Sequence, residues 1–134
     1  MVDALTADVN EISRRERGTQ TLQLDAGPTH AGQEFLMLGS LSGTEPGFHQ
    51  GEWTIPINPD FYTLLLMFEP RQAPISPVHG YLDGSGKATV TFEITRRWNA
   101  ATLVGHTFNH AFVLLDRHGR ILFVSNAEPL TIRR

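Results

Sequence analysis

Apolar and polar residues alternate over many short segments of this chain, and most of these segments end at glycine, proline, asparagine or aspartate. The cleanest example is residues 88–94, where Val90, Phe92 and Ile94 alternate with threonine and glutamate. Successive side chains of a β-strand point to opposite faces, so this pattern predicts a strand with one solvated face. Residues 19–24, 34–41 and 53–57 also indicate strands.

The last third of the chain predicts the central hairpin of a β-sheet. Two apolar runs, 108–115 and 121–124, flank the polar residues 116–120. Gly119 can adopt the positive φ that a hairpin turn with a bulge needs. A second hairpin is predicted from residues 79–83 and 88–94, which the tight turn at residues 84–86 joins.

Two segments fit a helix as well as a strand. Residues 61–68 are the most apolar run, and Asp60 in front of them could cap a helix. The run is short and ends before a proline, so we favour a strand. Residues 3–12 carry apolar side chains at helical spacing, but we favour an edge strand over residues 12–17, whose arginines would protect that edge from pairing with another chain.

The composition supports an all-β domain. The chain has 134 residues, and its 12 glycines and 8 prolines are spread at short intervals, as in proteins built from many short strands. We predict one two-layer antiparallel β-sandwich of immunoglobulin-like or jelly-roll type, with about eight or nine short strands, over residues 18–134. Residues 1–17 form an N-terminal segment or edge strand. A closed barrel satisfies the same spacing of turns.

Charge and cysteine content argue against several classes of function. A net charge of -3 gives no general attraction to nucleic acid or to an anionic membrane, so we predict neither as a partner. The chain has no cysteine, which excludes disulfides and thiolate metal sites. No apolar run approaches the ~20 residues of a spanning helix, and the acidic N-terminus lacks the cationic start of a signal peptide.

Motifs over nearly the whole chain from Gly18 resemble an uncharacterised module. They are G-T-Q-T-L-Q-L-D-A-G-P-T-H-A-G at 18–32, L-G-S-L-S-G-T-E-P-G at 38–47, P-I-N-P-D-F-Y at 56–62, L-D-G-S-G-K-A at 82–88, H-A-F-V-L-L-D at 110–116 and V-S-N-A-E-P-L-T at 124–131. The module is found at the C-terminal ends of large secreted or surface proteins of planctomycetes and related bacteria. The resemblance implies an extracellular accessory module and carries over no catalytic residues. This chain departs from the pattern at residues 14–17, where charged residues replace small or apolar ones.

The histidines, serines and aspartates form no motif with specific catalytic or metal-binding spacing. His106 and His110 lie on one face of the predicted strand but roughly 13 Å apart, too far to share one ion. His110, Asp116 and a serine such as Ser40 or Ser125 supply the residue types of a catalytic triad, but no strained elbow or oxyanion loop accompanies them. We therefore predict no catalytic residue, no metal and no cofactor.

Four aromatic residues are candidate ligand-binding positions: Trp53, Trp98, Tyr62 and Tyr81. Each lies near a predicted strand end or loop, where a flat ring can stack on the apolar face of a sugar. Alternatively, the two tryptophans close the ends of the core, and we favour this interpretation.

The runs at 62–68 and 110–115 carry apolar residues on both faces of the predicted strands. A sandwich needs only one buried face per strand, so we expect a helix or loop, a second copy or a host domain to cover part of a sheet. The sequence thus predicts a non-catalytic structural or interaction module of an exported bacterial protein, secreted or on the cell surface, that self-associates or docks on host-protein domains. A carbohydrate-binding module that binds a glycan through the surface aromatics is the alternative, and a metal-dependent hydrolase is the third hypothesis.

Overall fold

The computed structural model describes residues 3–16, 18–94 and 100–134, with residues 100 and 101 described for their backbone alone. This part of the chain is mostly β-structure. Its strands are β1 Leu5–Ala7, β2 Glu11–Ser13, β3 Thr19–Asp25, β4 Glu34–Ser40, β5 Phe48–Gln50, β6 Trp53–Ile55, β7 Ile75–Ser76, β8 His79–Tyr81, β9 Lys87–Glu93, β10 Thr107–Leu115, β11 Ile121–Val124 and β12 Glu128–Arg133. Its α-helices are α1 Phe61–Phe68 and α2 Ala100–Leu103, and 3-10 helices occur at Pro28–His30 and Pro70–Gln72.

The strands form two main sheets and a small hairpin. The first sheet has the order β1-β3-β9-β7, and the second has the order β2-β12-β10-β4-β8, with β11 also paired to β10. Strands β5 and β6 pair with each other. Pairing is antiparallel in the described residues except between β2 and β12, which are parallel. The chain passes repeatedly from one sheet to the other, as it does from β3 to β4 and from β8 to β9.

Side chains from the two sheets share one apolar core. Leu22 and Phe92 of the first sheet are fully buried in the same cluster as Met37, Phe108 and Phe112 of the second. Each such side chain contributes about 1.5–3 kcal/mol when it leaves water. The alternation over β9 turns Val90 and Phe92 inward, as the sequence predicts. The mostly-β prediction is confirmed.

The predicted central hairpin is confirmed. Strand β10 lies inside the second sheet, with β4 on one side and both β12 and β11 on the other. Leu115 faces Ile121 across the turn, and the register shifts by a bulge between Leu114 and Leu115. Gly119 takes a φ of 79° in this turn. Asp116 fixes the turn by accepting hydrogen bonds from the backbone N–H groups of His118 and Arg120.

The predicted second hairpin is wrong, although its turn forms. Gly86 N–H donates to the carbonyl of Asp83, which closes the turn. However, β8 pairs with β4 in the second sheet, while β9 pairs with β3 and β7 in the first. The turn therefore carries the chain across the core instead of back along its own sheet. A turn motif fixes the local change of direction but not the strand that each flank pairs with.

The prediction of a strand over residues 61–68 is also wrong, because the segment is the helix α1. The Asp60 carboxylate accepts hydrogen bonds from the backbone N–H groups of Tyr62 and Thr63. Asp60 N–H donates in return to the Thr63 hydroxyl, which completes a capping box. This local hydrogen bonding outweighs the strand preference of the aromatic and apolar side chains.

The N-terminal segment forms two edge strands. Strand β1 pairs with β3 at the edge of the first sheet, and β2 lies at the edge of the second. Leu5 and Ile12 are buried in the shared core, which draws this segment into strands and overturns the helical alternative at residues 3–12. The edge strand predicted over residues 12–17 forms only in part, because β2 ends at Ser13 and residues 14–16 form a turn. Arg17 lies outside the described residues. None of the described helices has the length and apolarity to cross a membrane.

Candidate functional site

Helix α1 covers the part of the β4 edge that β8 leaves open. Strand β8 pairs with β4 only at residues 34–36. Farther along, the Thr63 hydroxyl donates to the carbonyl of Gly39 at 2.6 Å. The N–H groups of Leu41 and Ser42 donate to the Asp60 carboxylate at 2.8 and 2.9 Å. The start of the helix thus satisfies the Gly39 carbonyl on β4 and two backbone N–H groups in the segment that follows this strand.

Asp60 joins the helix to the sheet as an ionised group. Burial by itself raises the pKa of this carboxyl, but hydrogen bonds from Leu41, Ser42, Thr63 and Ser40 together outweigh it and hold the pKa below its usual value. The charge lies at the N-terminus of α1, where the helix dipole favours an anion. Asp60 therefore positions α1.

The inner face of α1 is built into the core. Tyr62 and Leu66 are fully buried there, and the Tyr62 ring meets Phe108 edge to face at 5.0 Å. The Tyr62 hydroxyl and Nε2 of His110 share a hydrogen bond of 2.6 Å. A side chain at Gly39, which faces His110 across the sheet, would overlap the Tyr62 ring. A glycine is therefore required for α1 to lie this close to β4.

His110 and Tyr62 form an uncharged pair inside the protein. Burial lowers the pKa of His110 to about 3. Burial, together with the nearby charge of Asp60, raises the pKa of Tyr62 well above its ordinary value. Nδ1 of His110 is buried and has no hydrogen-bond partner in the part of the chain that the structure describes. Near neutral pH both groups are neutral, so the pair is a structural link between α1 and β10.

An apolar cleft lies on the other face of the second sheet. It has a volume of about 500 Å³, and its walls are that sheet face, α1, the β5–β6 hairpin and the turn after β10. No acidic or basic side chain lines it. The lining residues are Leu36, Leu38, Phe48, Gln50, Ile55, Ile57, Pro59, Thr63, Leu64, Met67, Val113, Leu115, Gly119 and Ile121.

The chain itself covers the rest of this sheet face. Ala111 and Val113 of β10 are buried in a second apolar cluster with Ile55, the last residue of β6, and Ile57, which follows the β5–β6 hairpin. The apolar residues on both faces of β10 are thus explained within the chain. Of the predicted alternatives, a segment of the chain itself covers this part of the sheet, and neither a second copy nor a host domain is needed for it. The cleft is the part of the face that remains open.

The outward face of α1 carries three large apolar side chains, which we call the α1 stripe: Phe61, Leu64 and Phe68. They are 66%, 56% and 71% exposed. Their spacing of three and seven residues places them along one side of the helix. No residue of α1 is charged. Leu64 belongs to both the stripe and the cleft, so the two features form one continuous apolar surface.

The three predicted aromatic positions that the structure describes do not form one platform. The surface placement of Tyr62 is wrong, because α1 buries its ring and leaves no face for a sugar. Trp53 on β6 is 37% exposed, and Tyr81 on β8 is 67% exposed with its ring 5.7 Å from that of His79. No ring contact joins Trp53 to Tyr81 among the described residues. Trp98 lies outside the described residues.

The residues of the hydrolase hypothesis have other partners. His110 contacts Tyr62, Ser40 donates to Asp60, and the Ser125 hydroxyl accepts from the backbone of Phe112. Asp116 lies in the turn at the far end of β10. In residues 3–16, 18–94 and 100–134, no group of three or more histidine, cysteine, aspartate or glutamate side chains is placed to hold a metal ion.

Sequence reasoning missed the cleft and the α1 stripe because it placed residues 61–68 in a strand. The signal was available, since Asp60 and Thr63 stand at capping-box spacing before an apolar run. Comparison with protein-family models and with curated proteins finds no match for this chain. The geometry of the site therefore carries the functional argument.

Proposed function

We propose that this chain is a non-catalytic interaction module of an exported bacterial protein, secreted or on the cell surface, and that it associates with a second copy of itself through the α1 stripe. The observation that carries the proposal is the exposure of Phe61, Leu64 and Phe68 beside an apolar cleft. Contiguous apolar surface of this kind marks interaction sites in soluble proteins.

A second copy is the occupant that this surface fits best. A two-fold dimer needs a patch that is complementary to itself. Here protruding rings and a concave apolar cleft lie side by side, so the rings of one copy can enter the cleft of the other and the reverse. None of the eight residues of α1 is charged, so apart from Asp60 and Glu69 at its two ends the helix brings no like charges together when two copies approach.

The available area is close to what a specific dimer needs. Two rings that are about two thirds exposed, with Leu64 and Met67, offer on the order of 500 Å² of apolar surface per copy. Two copies would then bury roughly 1,000 Å², near the lower limit for specific interfaces. We therefore expect a dimer whose dissociation constant is micromolar or weaker, not an obligate dimer.

Sedimentation equilibrium tests this proposal. The wild type is expected to dimerise, and Phe61→Ser with Phe68→Ser is expected to remain monomeric at the same concentrations. Val9→Ser with Leu122→Ser removes exposed apolar side chains outside this surface and should leave the dimer intact. A wild type that stays monomeric to about 1 mM would contradict self-association, because a dissociation constant above that concentration is weaker than that of most specific complexes. A stripe variant that still dimerises would also contradict it.

The proposal includes the finer fold and the cellular location. The repeated passage of the chain between two sheets supports a jelly-roll or immunoglobulin-like sandwich. The motifs that resemble the module of secreted and surface proteins support an exported host protein whose other domains are additional candidate partners.

Carbohydrate binding is the second candidate, since Trp53 and Tyr81 do expose their rings. A glycan array would favour it if binding by the wild type were lost in Trp53→Ala or Tyr81→Ala. We rank it below self-association because the two rings are isolated from each other, whereas the stripe and the cleft are continuous.

A further inference from the structure

We propose that the cleft is a binding site for one aliphatic chain with an anionic head group, such as a long-chain carboxylate. This inference goes beyond self-association and does not rest on it, because its evidence is the floor of the cleft and the turn that contributes Gly119 to its lining. The ligand and the rings of a second copy would compete for the cleft, so ligand binding is measured at a concentration where the protein is monomeric. The floor is Leu36, Leu38, Val113, Leu115 and Ile121, none of which belongs to the α1 stripe.

The lining selects an apolar ligand. Aliphatic and aromatic side chains line the cleft except at Gln50, Thr63 and Gly119. The Thr63 hydroxyl already donates to the carbonyl of Gly39, which leaves the Gln50 amide as the main polar group. A sugar or a peptide backbone placed there would lose its hydrogen bonds to water without replacement, at a cost of about 1–3 kcal/mol for each group.

The volume suits a chain of moderate length. Sites for small ligands commonly enclose roughly 300–1,000 Å³, and the cleft provides about 500 Å³. A methylene group occupies about the volume of a liquid water molecule, ~30 Å³, so roughly ten to fifteen carbons fill the cleft. Each buried methylene contributes about 0.8 kcal/mol through the hydrophobic effect, which favours a chain that fills it.

The head group is specified by the turn at residues 116–120. Gly119 of this turn lines the cleft, and the neighbouring Arg117 and Arg120 are exposed. Arg120 pairs with Asp116 through Nε at 3.3 Å, which leaves its terminal nitrogens free for a further acceptor. Arg117 has no ion pair among the described residues. Glu34, the acidic residue of β4, is already paired with His79.

Isothermal titration calorimetry with three twelve-carbon probes, each below its micellar concentration or solubility limit, tests the proposal. Dodecanoate should bind with a stoichiometry of one, and dodecanol should bind about tenfold more weakly because it lacks the charge. Dodecyltrimethylammonium should bind more weakly still. Absence of saturable dodecanoate binding, or equal affinity for all three probes, would overturn the proposal.

Variants then locate the site. Met67→Trp places bulk in the cleft from a half-exposed position and should weaken dodecanoate binding at least about tenfold. Val9→Trp adds the same bulk outside the cleft and should have no effect. Arg117→Gln with Arg120→Gln should reduce dodecanoate to the affinity of dodecanol, while Arg14→Gln with Arg15→Gln should not. Unchanged binding in Met67→Trp would overturn the placement of the aliphatic chain in the cleft. Unchanged binding in the Arg117 and Arg120 variant would overturn the assignment of the head group.

The stripe variant separates this inference from self-association. Phe61→Ser with Phe68→Ser leaves the floor and the turn in place, so it should bind dodecanoate with the wild-type stoichiometry even where it is monomeric. Loss of dodecanoate binding in that variant would contradict the claim that a single copy of the chain forms the complete binding site.

Discussion

Helix α1 has two apolar faces with different surroundings. Its inner face places Tyr62 and Leu66 in the core, and their burial explains why large apolar side chains stand at these positions. The Tyr62 hydroxyl is satisfied there by its hydrogen bond with His110. Its outer face places Phe61 and Phe68 in water, where nothing in the described chain covers them. The difference separates side chains that the fold needs from side chains that the fold alone does not explain. We infer function from the second group.

The largest expected effect tests whether the two faces differ in this way. Leu66→Ala should destabilise the protein by about 2–5 kcal/mol, because it leaves a cavity in the core. Leu64→Ala makes the same chemical change on the outer face and should alter the stability of the monomer by about 0.5 kcal/mol or less. Urea denaturation at a concentration where the protein is monomeric measures both. Equal losses would show that the outer face is also part of the core.

Removal of the N-cap should sharpen the comparison. Asp60→Ala deletes the acceptor for both the first turn of α1 and the N–H groups of Leu41 and Ser42. We expect a loss of about 2–3 kcal/mol in the free energy of unfolding, more than a simple cap, because the carboxylate also serves the sheet. Asp60→Asn retains part of the hydrogen bonding and is the matched control. If Asp60→Ala lost no more unfolding free energy than Asp60→Asn, the result would argue against Asp60 as the shared hydrogen-bond acceptor of the helix and the sheet.

The buried His110 predicts a dependence of stability on pH. Its pKa is 6.5 in the unfolded chain and about 3 in the folded protein. Between these values the unfolded chain binds a proton that the folded protein excludes, so stability falls as the pH falls from about 6.5 to 3. We expect a loss of about 2 kcal/mol between pH 7 and pH 5 from this group.

Glutamine does not titrate, so His110→Gln should remove this part of the pH dependence. His118→Gln, which changes an exposed histidine in the turn after β10, should retain it. Thermal unfolding from pH 7 to pH 5 distinguishes the two. If the stability of the wild type and that of His110→Gln fell equally between pH 7 and pH 5, the result would contradict a His110 that is buried in the neutral form.

Sequence patterns predicted local backbone geometry better than the pairing of strands. The alternation at Val90 and Phe92 and the turn at Gly119 report local geometry, and both appear in the structure as expected. Pairing partners are not local, which is why the turn at residues 84–86 was recognised but the hairpin was not. The strand predicted over residues 61–68 failed because the capping box of Asp60 and Thr63 was weighed less than the apolar run behind it.

The candidate site shows the same division. Apolar residues on both faces of β10 correctly predicted a covered sheet, but no local pattern shows that Ile55 and Ile57 cover only part of it. The cleft arises where a helix, a hairpin and a turn from separate parts of the chain meet. Such a meeting depends on the tertiary structure, and the sequence alone did not predict it.

The most direct test of the central claim is an isotope-filtered NOE experiment on a mixture of labelled and unlabelled copies. Self-association through the α1 stripe predicts intermolecular cross-peaks from the rings of Phe61 and Phe68 to methyl groups of Leu64 and Met67 in the other copy. Cross-peaks confined to another surface, such as the β8 edge with Tyr81, or no intermolecular cross-peaks at millimolar concentration, would contradict it.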